Sequence, residues 1–491
     1  MIEVAVLILL VLPIVAATTI WSFKLREGAG VLSIAVSVLM LAAAVAIFVR
    51  VQERGSQEAF SGWIYIDSLS IVVLTLIAVV GVCGALNSRA YIAHDIARGE
   101  LGARDEPRYY ALLLLFMATM AAVPIMNNLG VMWVAIEATT VVSVLLVSVY
   151  RTGRSLEAAW KYLVLGSVGI ALALFGTMMT YYAASASIGE SASALNWTEL
   201  RSVSLEADVM RLAFVFVLVG YGTKVGLAPM HTWLPDAHSQ APSPVSGLLS
   251  GVLLNCALYA VLRFRSLTID ATGGEYADNL LMGFGLFSVA LAVPFLVVQH
   301  DIKRMLGYHS VEHMGIIVLA VGIGGQVALY AAMLHLVAHS LTKSSLFFAA
   351  GSAAQVFKSR SMHRMRGILR VTPVAGAGLV VGAVALAGLP PFAMFTSEYG
   401  LVSGAFANGR GTIGVVAILL IALAAASLLY HTISAAYHEP RHNVAPEGPI
   451  SVATALSILA PLVLLLWVSV APPARFNRAL ESAVAVLEER R

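Results

Sequence analysis

Apolar runs long enough to cross a bilayer follow one another along nearly the whole chain. A membrane core takes roughly 20 apolar residues per helix. Such runs fall at 2–22, 30–50, 68–90, 108–126, 129–150, 158–184, 208–230, 242–263, 279–299, 306–324, 326–356, 372–402, 411–437 and 450–471. The pattern predicts an all-α polytopic membrane protein with about 14 transmembrane helices. Between the second and third runs, FSGWIYI (Phe60 to Ile66) alternates aromatic and small residues and predicts a short interfacial strand or hairpin. The first run has no basic segment before it and no small-residue cleavage site, so it reads as a retained helix rather than a signal peptide. The tail, Phe476 to Arg491, predicts a short amphipathic helix at most.

Two runs are interrupted at depth. The seventh reads VGYGTKVGLAPM, with Gly220, Gly222, Gly226 and Pro229; the twelfth reads LAGLPPFAMFTSE, with Gly388, Pro390 and Pro391. Proline removes a backbone donor, and freed carbonyls in hydrocarbon are costly unless protein or water satisfies them. Two broken helices five spans apart predict a pair of five-helix repeats, inverted because five is odd. The chain then divides into helices 1–3 over 1–107, a first repeat (helices 4–8) over 108–264, a second (helices 9–13) over 265–438, and helix 14 with the tail over 439–491.

Lys and Arg sort by loop. Loops after odd-numbered spans hold Lys24, Arg26, Arg89, Arg98, Arg104, Arg108, Arg151, Arg154, Lys303, Arg304, Lys358, Arg360, Arg364, Arg366, Arg370 and Arg441. Loops after even-numbered spans hold only Arg50, Arg54, Arg201, Arg211, Arg263, Arg265 and Arg410. The positive-inside bias makes the odd loops cytoplasmic and places both termini on the other side of a cell (inner) membrane.

Composition agrees: 59% of the 491 residues are apolar and 12% are charged, against about 25% charged in soluble domains. A net charge of +3 spread over loops, with no basic block, gives no sign of nucleic-acid binding. Two isolated cysteines, Cys83 and Cys256, leave iron–sulfur clusters, zinc knuckles and c-type haem without ligands. Any redox cofactor therefore belongs to partner subunits, and none is expected in this chain.

Against that apolar background the ionisable residues stand out. Glu137 lies in the fifth run, Lys161 near the start of the sixth, Lys224 in the seventh, Lys343 mid-way through the eleventh and Glu398 just past the break in the twelfth. A charge at the bilayer centre costs about 2.5–3.5 kcal/mol on insertion scales. Such groups face a wet interior and pair with one another, either as structural ion pairs or as a proton path. Protons suit the chemistry. Burial disfavours a charged amine while a nearby carboxylate restores it, so a lysine facing a movable glutamate has two settings. In the eleventh run His335, His339 and Lys343 fall at i, i+4 and i+8, a stripe roughly 12 Å long that predicts a relay ladder along one helix with waters between. Other readings are two buried histidines bonded to carbonyls, or haem or metal ligation by the His335/His339 pair.

His309-Ser-Val-Glu312-His313 matches the HxxEH pattern of a zinc-peptidase family. No third ligand accompanies it in the sequence, which favours a proton entrance or inter-helix hydrogen bonds. HTWLPDAHSQAPSPVSG links the seventh and eighth runs, with His231, Asp236 and His238 as its polar groups. Asn255, in the eighth run, needs a partner at depth.

TKVGLAPMHTWLPDAHSQAPSPVSGLLSGVLL (223–254), DIKRMLGYHSVEHMG (301–315), HSLTKSSLFF (339–348) and LPPFAMFTSE (389–398) resemble the proton-conducting antiporter-like subunits of respiratory complex I, Mrp-type cation/proton antiporters and membrane-bound nickel–iron hydrogenases. HSVEHMG and LTKSSLFFAAG look most like the F subunit of hydrogenase-4 and formate hydrogenlyase-type complexes. The resemblance implies that Glu137 partners a pumping Lys224, that Lys343 and its histidines form a central relay, and that Glu398 passes protons onward. Several complex I subunits carry a lysine where this chain has Asn255, so relay there falls to water or Lys343. The chain ends soon after the fourteenth run, without the long lateral helix of the distal complex I subunit.

The expectation is an ion-translocating subunit of a redox-driven complex, with other membrane subunits and a peripheral nickel–iron hydrogenase-like or dehydrogenase module as partners, and no metal of its own. Alternatives are Mrp-like sodium/proton exchange, a membrane subunit of an inorganic-carbon uptake system, or a passive scaffold for a peripheral enzyme.

Overall fold

The computed structural model describes residues 2–188, 193–439 and 450–488; Arg441 and the last residues of the tail lie outside them. The chain opens with α1 (Ile2–Ser22) and α2 (Ala29–Arg54). A hairpin follows, β1 (Gln57–Ala59) pairing antiparallel with β2 (Ile64–Ile66), Glu58 opposite Tyr65. The expected hairpin is there, turning through Phe60, Ser61 and Gly62. Next come α3 (Ser68–Ala97), α4 (Glu106–Ala122), α5 (Leu129–Val147), α6 (Gly153–Ile188), the short α7 (Trp197–Leu200) and α8 (Ala207–Val225). The 223–254 motif forms α9 (Trp233–Gln240) and α10 (Ser243–Leu248), which runs through a π-helical turn at Leu249–Leu253 into α11 (Leu254–Thr272). Then follow α12 (Gly274–Val297), α13 (Ile302–Ile323), α14 (Gly325–Phe357), α15 (Ile368–Val371), α16 (Pro373–Leu386), α17 (Ala393–Ala407), α18 (Gly411–Tyr437), α19 (Val452–Val470) and the tail helix α20 (Ala474–Glu488).

Eleven helices among the described residues are long and apolar enough to cross a membrane. The other three predicted spans are α8, α14 and the α16–α17 pair. Each departs from a plain apolar span for a reason written in its residues. The first carries Asp208, Arg211 and Lys224, the second carries His335, His339 and Lys343, and the third is broken in two.

Burial is reversed relative to a water-soluble bundle. The segments Ser243–Thr272 and α13 are enclosed over most of their length, while α1, α2, α6 and α18 present large apolar side chains outward. On α6 that face is a helical stripe of Trp160, Val164, Val168, Phe175, Met178 and Tyr182. Apolar surface turned outward while polar groups gather inside is the arrangement lipid favours.

Small residues let backbones meet where the site is built. A Cβ on Gly220 of α8 would lie 2.4 Å from the Ala173 nitrogen of α6, and one on Gly322 of α13 would lie 2.5 Å from the Met282 nitrogen of α12.

Both helix breaks are supplied with hydrogen bonds. At the end of α8, Gly226 adopts φ +85° and its N–H returns to the Gly222 carbonyl. The Trp233 indole N–H donates to the freed Thr223 carbonyl at 2.8 Å, and Ala228 N–H donates to Ser288 Oγ of α12 at 2.9 Å. Between α16 and α17, Gly388 adopts φ +65°, and Ala393 N–H donates to Ser469 Oγ of α19 at 2.7 Å.

A buried ion pair ties the start of α3 to the middle of α11. Arg263 grips Asp67 with two N–H groups at 2.7 and 2.8 Å, and its Nε donates to the Tyr259 hydroxyl at 2.9 Å. Asp67 also caps α3 by accepting from Ser70 N–H at 3.0 Å.

Candidate functional site: two buried polar centres

The first centre lies among α5, α6 and α8. Lys224, one residue before the end of α8, is fully buried. Its amine donates to Thr140 Oγ1 at 2.7 Å and to the Tyr162 hydroxyl at 2.9 Å. Thr140 sits one turn after Glu137 on α5 and donates to Glu137 Oε2 at 3.0 Å. Lysine and glutamate are therefore joined through a hydroxyl. Ser143 donates to the Thr139 carbonyl at 2.6 Å, so it accepts from Tyr162, 2.9 Å away. Both hydroxyl protons thus point away from the amine, which meets two oxygen lone pairs and uses two of an ammonium's three donors. The amine also lies 4.7 Å from the Tyr162 ring centroid and 6.0 Å from that of Trp233.

The second centre is shared by α13, α14 and α17. His309 Nδ1 bonds Glu312 Oε2 at 2.7 Å, and the same oxygen lies 4.0 Å from His313 Nε2. His313 Nδ1 meets His335 Nε2 at 2.9 Å. His335 Nδ1 meets Ser397 Oγ at 2.9 Å. Glu398 follows directly; it is 5% exposed, and its Oε1 is without a hydrogen-bond partner. It lines a cavity of about 480 Å³ bounded by Gly388, Leu389 and the facing sides of α17 and α18. Lys343 is fully buried, donates to the Leu306 carbonyl of α13 and lies 5.6 Å from the Phe347 ring centroid.

His335, His339 and Lys343 share α14, and the direct hydrogen bond made there runs across to α13. His335 pairs sideways with His313, while neither ring nitrogen of His339 has a hydrogen-bond partner. Steps of four along one helix leave gaps of about 6 Å, too long for direct bonds, whereas α13 brings its histidines within reach. The HxxEH segment, read in the sequence as a proton entrance or a source of inter-helix hydrogen bonds, supplies half of this centre, and its His313 does bond across to α14.

Helix α9 stands between the centres. Trp233 stacks on Tyr162 with ring centroids 4.3 Å apart, and His238 lies 5.4 Å from Phe347, the ring beneath Lys343. His238 is fully buried; its Nδ1 meets the Leu234 carbonyl at 2.8 Å and its Nε2 is unbonded. His231 is buried nearby, its Nδ1 unbonded.

Asn255 donates to the Gly251 carbonyl at 3.0 Å and to Ser340 Oγ of α14 at 2.8 Å. The first acceptor lies in the π-helical turn, where the helical ladder is out of step.

Lys161 differs from the expectation of a charge at depth. Its side chain is 47% exposed and pairs with Glu157 at 2.7 Å and Asp236 at 3.1 Å. Asp236 in turn meets Arg304 at 3.3 Å. Two carboxylates at the helix mouth hold this amine outside, and it is the next residue, Tyr162, that faces the buried centre. Thr140, Ser143, Tyr162, Trp233 and Ser397 were not singled out in the sequence. Thr140, three residues after Glu137, is the one its spacing marks.

Comparison with known proteins places these residues in a family. Residues 126–424 match the family described as NADH:quinone oxidoreductase/Mrp antiporter, TM. The Hydrogenase-4 component F homolog of Methylacidiphilum infernorum (isolate V4) is 44% identical over 383 residues, which cover 78% of this chain and 80% of that protein. NADH-quinone oxidoreductase subunit N of Desulforudis audaxviator is 28% identical over 474 residues, covering 92% and 91%. Among solved structures, a chain of the membrane-bound sulfane sulfur reductase, an archaeal respiratory membrane complex, superposes with TM-score 0.87 at 22% identity, covering 99% of this chain and 98% of that one. The chain belongs to the transmembrane family of NADH:quinone oxidoreductase and Mrp antiporter subunits.

Proposed function

We propose that this chain carries protons across a cell membrane as an antiporter-like subunit of a redox-driven complex of the hydrogenase-4 type. Electron transfer takes place in partner subunits, and a peripheral nickel–iron hydrogenase-like or dehydrogenase module completes the assembly. The observation that carries the reading is Lys224, an amine wholly removed from solvent and joined through Thr140 to Glu137. A charged amine at such depth is costly, and its partners are oxygens able to pass a proton on.

In this reading Glu137 and Lys224 exchange a proton through the Thr140 hydroxyl. The path then passes α9 to Lys343 and leaves along Glu312, His313, His335 and Glu398, with His339 completing the inner wall. Lys161, His231, Asp236, His238, Asn255 and His309 support it by position. Residues 108–264 and 265–438 form the two inverted repeats of a 14-span chain, and both termini lie on the non-cytoplasmic side. The matching serine supports at the two helix breaks favour that division.

Replacing Lys224 by Met in the assembled complex, reconstituted in vesicles, is expected to abolish proton uptake while every subunit remains. Lys224→Arg should fail as well, because a guanidinium keeps its proton. Undiminished proton transport in Lys224→Met sinks the proposal. Running the assay with and without sodium separates proton translocation from the sodium/proton exchange that the family also contains.

A further inference from the structure

We propose that His313, His335 and Glu398 form a binding site for a d-block divalent cation, with Zn²⁺ as the natural fit. One ligand atom from each of the three lies within 4.8 Å of the other two, and all three residues are buried. They come from α13, α14 and α17, so the ion would bridge three helices.

The hydrogen bonds around the triad already suit ligation. Ser397 donates its proton to the Met394 carbonyl at 2.7 Å. Its oxygen therefore accepts from His335 Nδ1–H, which leaves the His335 Nε2 lone pair facing His313. A histidine oriented by a hydrogen bond on its far nitrogen is the usual partner of a bound metal. His313 has an acceptor on the same side but further off: its Nε2 faces Glu312 Oε2 at 4.0 Å, and an approach of about 1 Å would make the bond. When the ion enters, the His313 proton shifts from Nδ1 to Nε2, the side that Glu312 Oε2 flanks, freeing Nδ1 as a second lone pair. No proton is lost at either ring. Glu398 binds as the carboxylate, releasing a proton only if it carried one. Its Oε1, without a partner and buried, is the third donor, and the adjoining cavity of about 480 Å³ has room for water as the fourth.

Size and chemistry select the ion. The two ring nitrogens are 2.9 Å apart. Tetrahedral ligands at 2.0–2.1 Å from zinc stand roughly 3.4 Å apart, so parting the rings by about 0.5 Å admits it. Two imidazoles with one carboxylate favour zinc, cobalt, nickel or copper over magnesium, calcium or sodium. The sequence offered His335 with His339 as the ligand pair; the fold puts His313 in the second place. If the proton reading above holds, an ion here would fasten α13, α14 and α17 together and occupy the path. The binding claim does not depend on it.

The test uses the purified complex, stripped with chelator and titrated with Co²⁺, whose visible absorption reports low-coordinate nitrogen and oxygen ligands. One Co²⁺ per chain, displaced by Zn²⁺, is expected. His335→Asn and Glu398→Gln should each weaken binding by roughly 100-fold or more, while His309→Asn keeps it. Ser397→Ala, which acts through His335 and leaves all ligands in place, should weaken it by about 10–100-fold. That variant decides the matter should a ligand substitution prevent assembly. An unaltered complex without stoichiometric uptake, or uptake lost in His309→Asn but indifferent to Ser397→Ala, overturns the proposal. The readout is a spectrum, so it stands or falls apart from proton transport.

Discussion

Lys224 and Glu137 are joined by a third residue: the Thr140 hydroxyl accepts from the amine at 2.7 Å and donates to the carboxylate at 3.0 Å. That arrangement makes Thr140 the most informative position in the first centre. Thr140→Val keeps shape and removes the bridge. Hydrogen bonds to charged groups are worth about 1.5–3 kcal/mol, so proton translocation should fall roughly 10-fold or more, with Thr140→Ser close to the unaltered protein. Vesicle assays on the assembled complex measure both, and equal rates in Val and Ser variants would discard the bridge.

The broken end of α8 depends on an indole. Trp233→Phe removes the 2.8 Å donor to the Thr223 carbonyl and leaves it only the longer bond from Gly226 N–H at 3.3 Å, at a cost of about 0.5–1.5 kcal/mol. A lower thermal midpoint in detergent is expected. Because the same ring stacks on Tyr162, slower proton transport should accompany it.

Gly388 leaves room for the second acid. A Cβ there would lie 2.1 Å from Glu398 Oε2, and the backbone already sits at φ +65°. Gly388→Ala should destabilise the chain by about 1–3 kcal/mol and cut proton transport. Adding Glu398→Asp, which withdraws the carboxylate by one carbon, should recover part of the stability. No recovery in the double variant's melting curve would mean that backbone strain, not crowding, dominates.

Arg263→Leu strands Asp67 without its partner. Removing one member of a buried pair costs about 3–5 kcal/mol. Asp67 caps the start of α3 and Arg263 lies mid-way along α11, and neither bonds Lys224 or Lys343, so loss of thermal stability should exceed any loss of transport per folded complex. Comparing melting temperatures with specific rates checks this.

Much of the architecture was legible because lipid imposes one rule, an uninterrupted apolar stretch, and the chain obeys it in most of its helices. The exceptions were legible too: Lys224, Lys343 and the Gly388–Pro391 break stand out as violations. Positions decided by approach between helices were hidden. Nothing in spacing says that His335 turns toward His313 rather than His339, since that depends on where α13 lies. Tyr162 and Thr140 are ordinary helical residues until Lys224 is placed between them. Lys161 misled because an apolar run does not say which of its turns clears the membrane; Glu157 and Asp236 decide that.

The outward stripe of α6 carries an aromatic ring toward each end, Trp160 and Tyr182. At 1.5 Å per residue the two rings stand about 33 Å apart along the axis, close to the roughly 30 Å of a bilayer's hydrocarbon. Aromatic rings favour the headgroup boundary, so this pair acts as a gauge of membrane thickness. In thinner lipid α6 would lean to keep both rings at their boundaries. Tyr162, two residues past Trp160, would lean with it, making acyl-chain length a lever on the distance between a phenol and an amine.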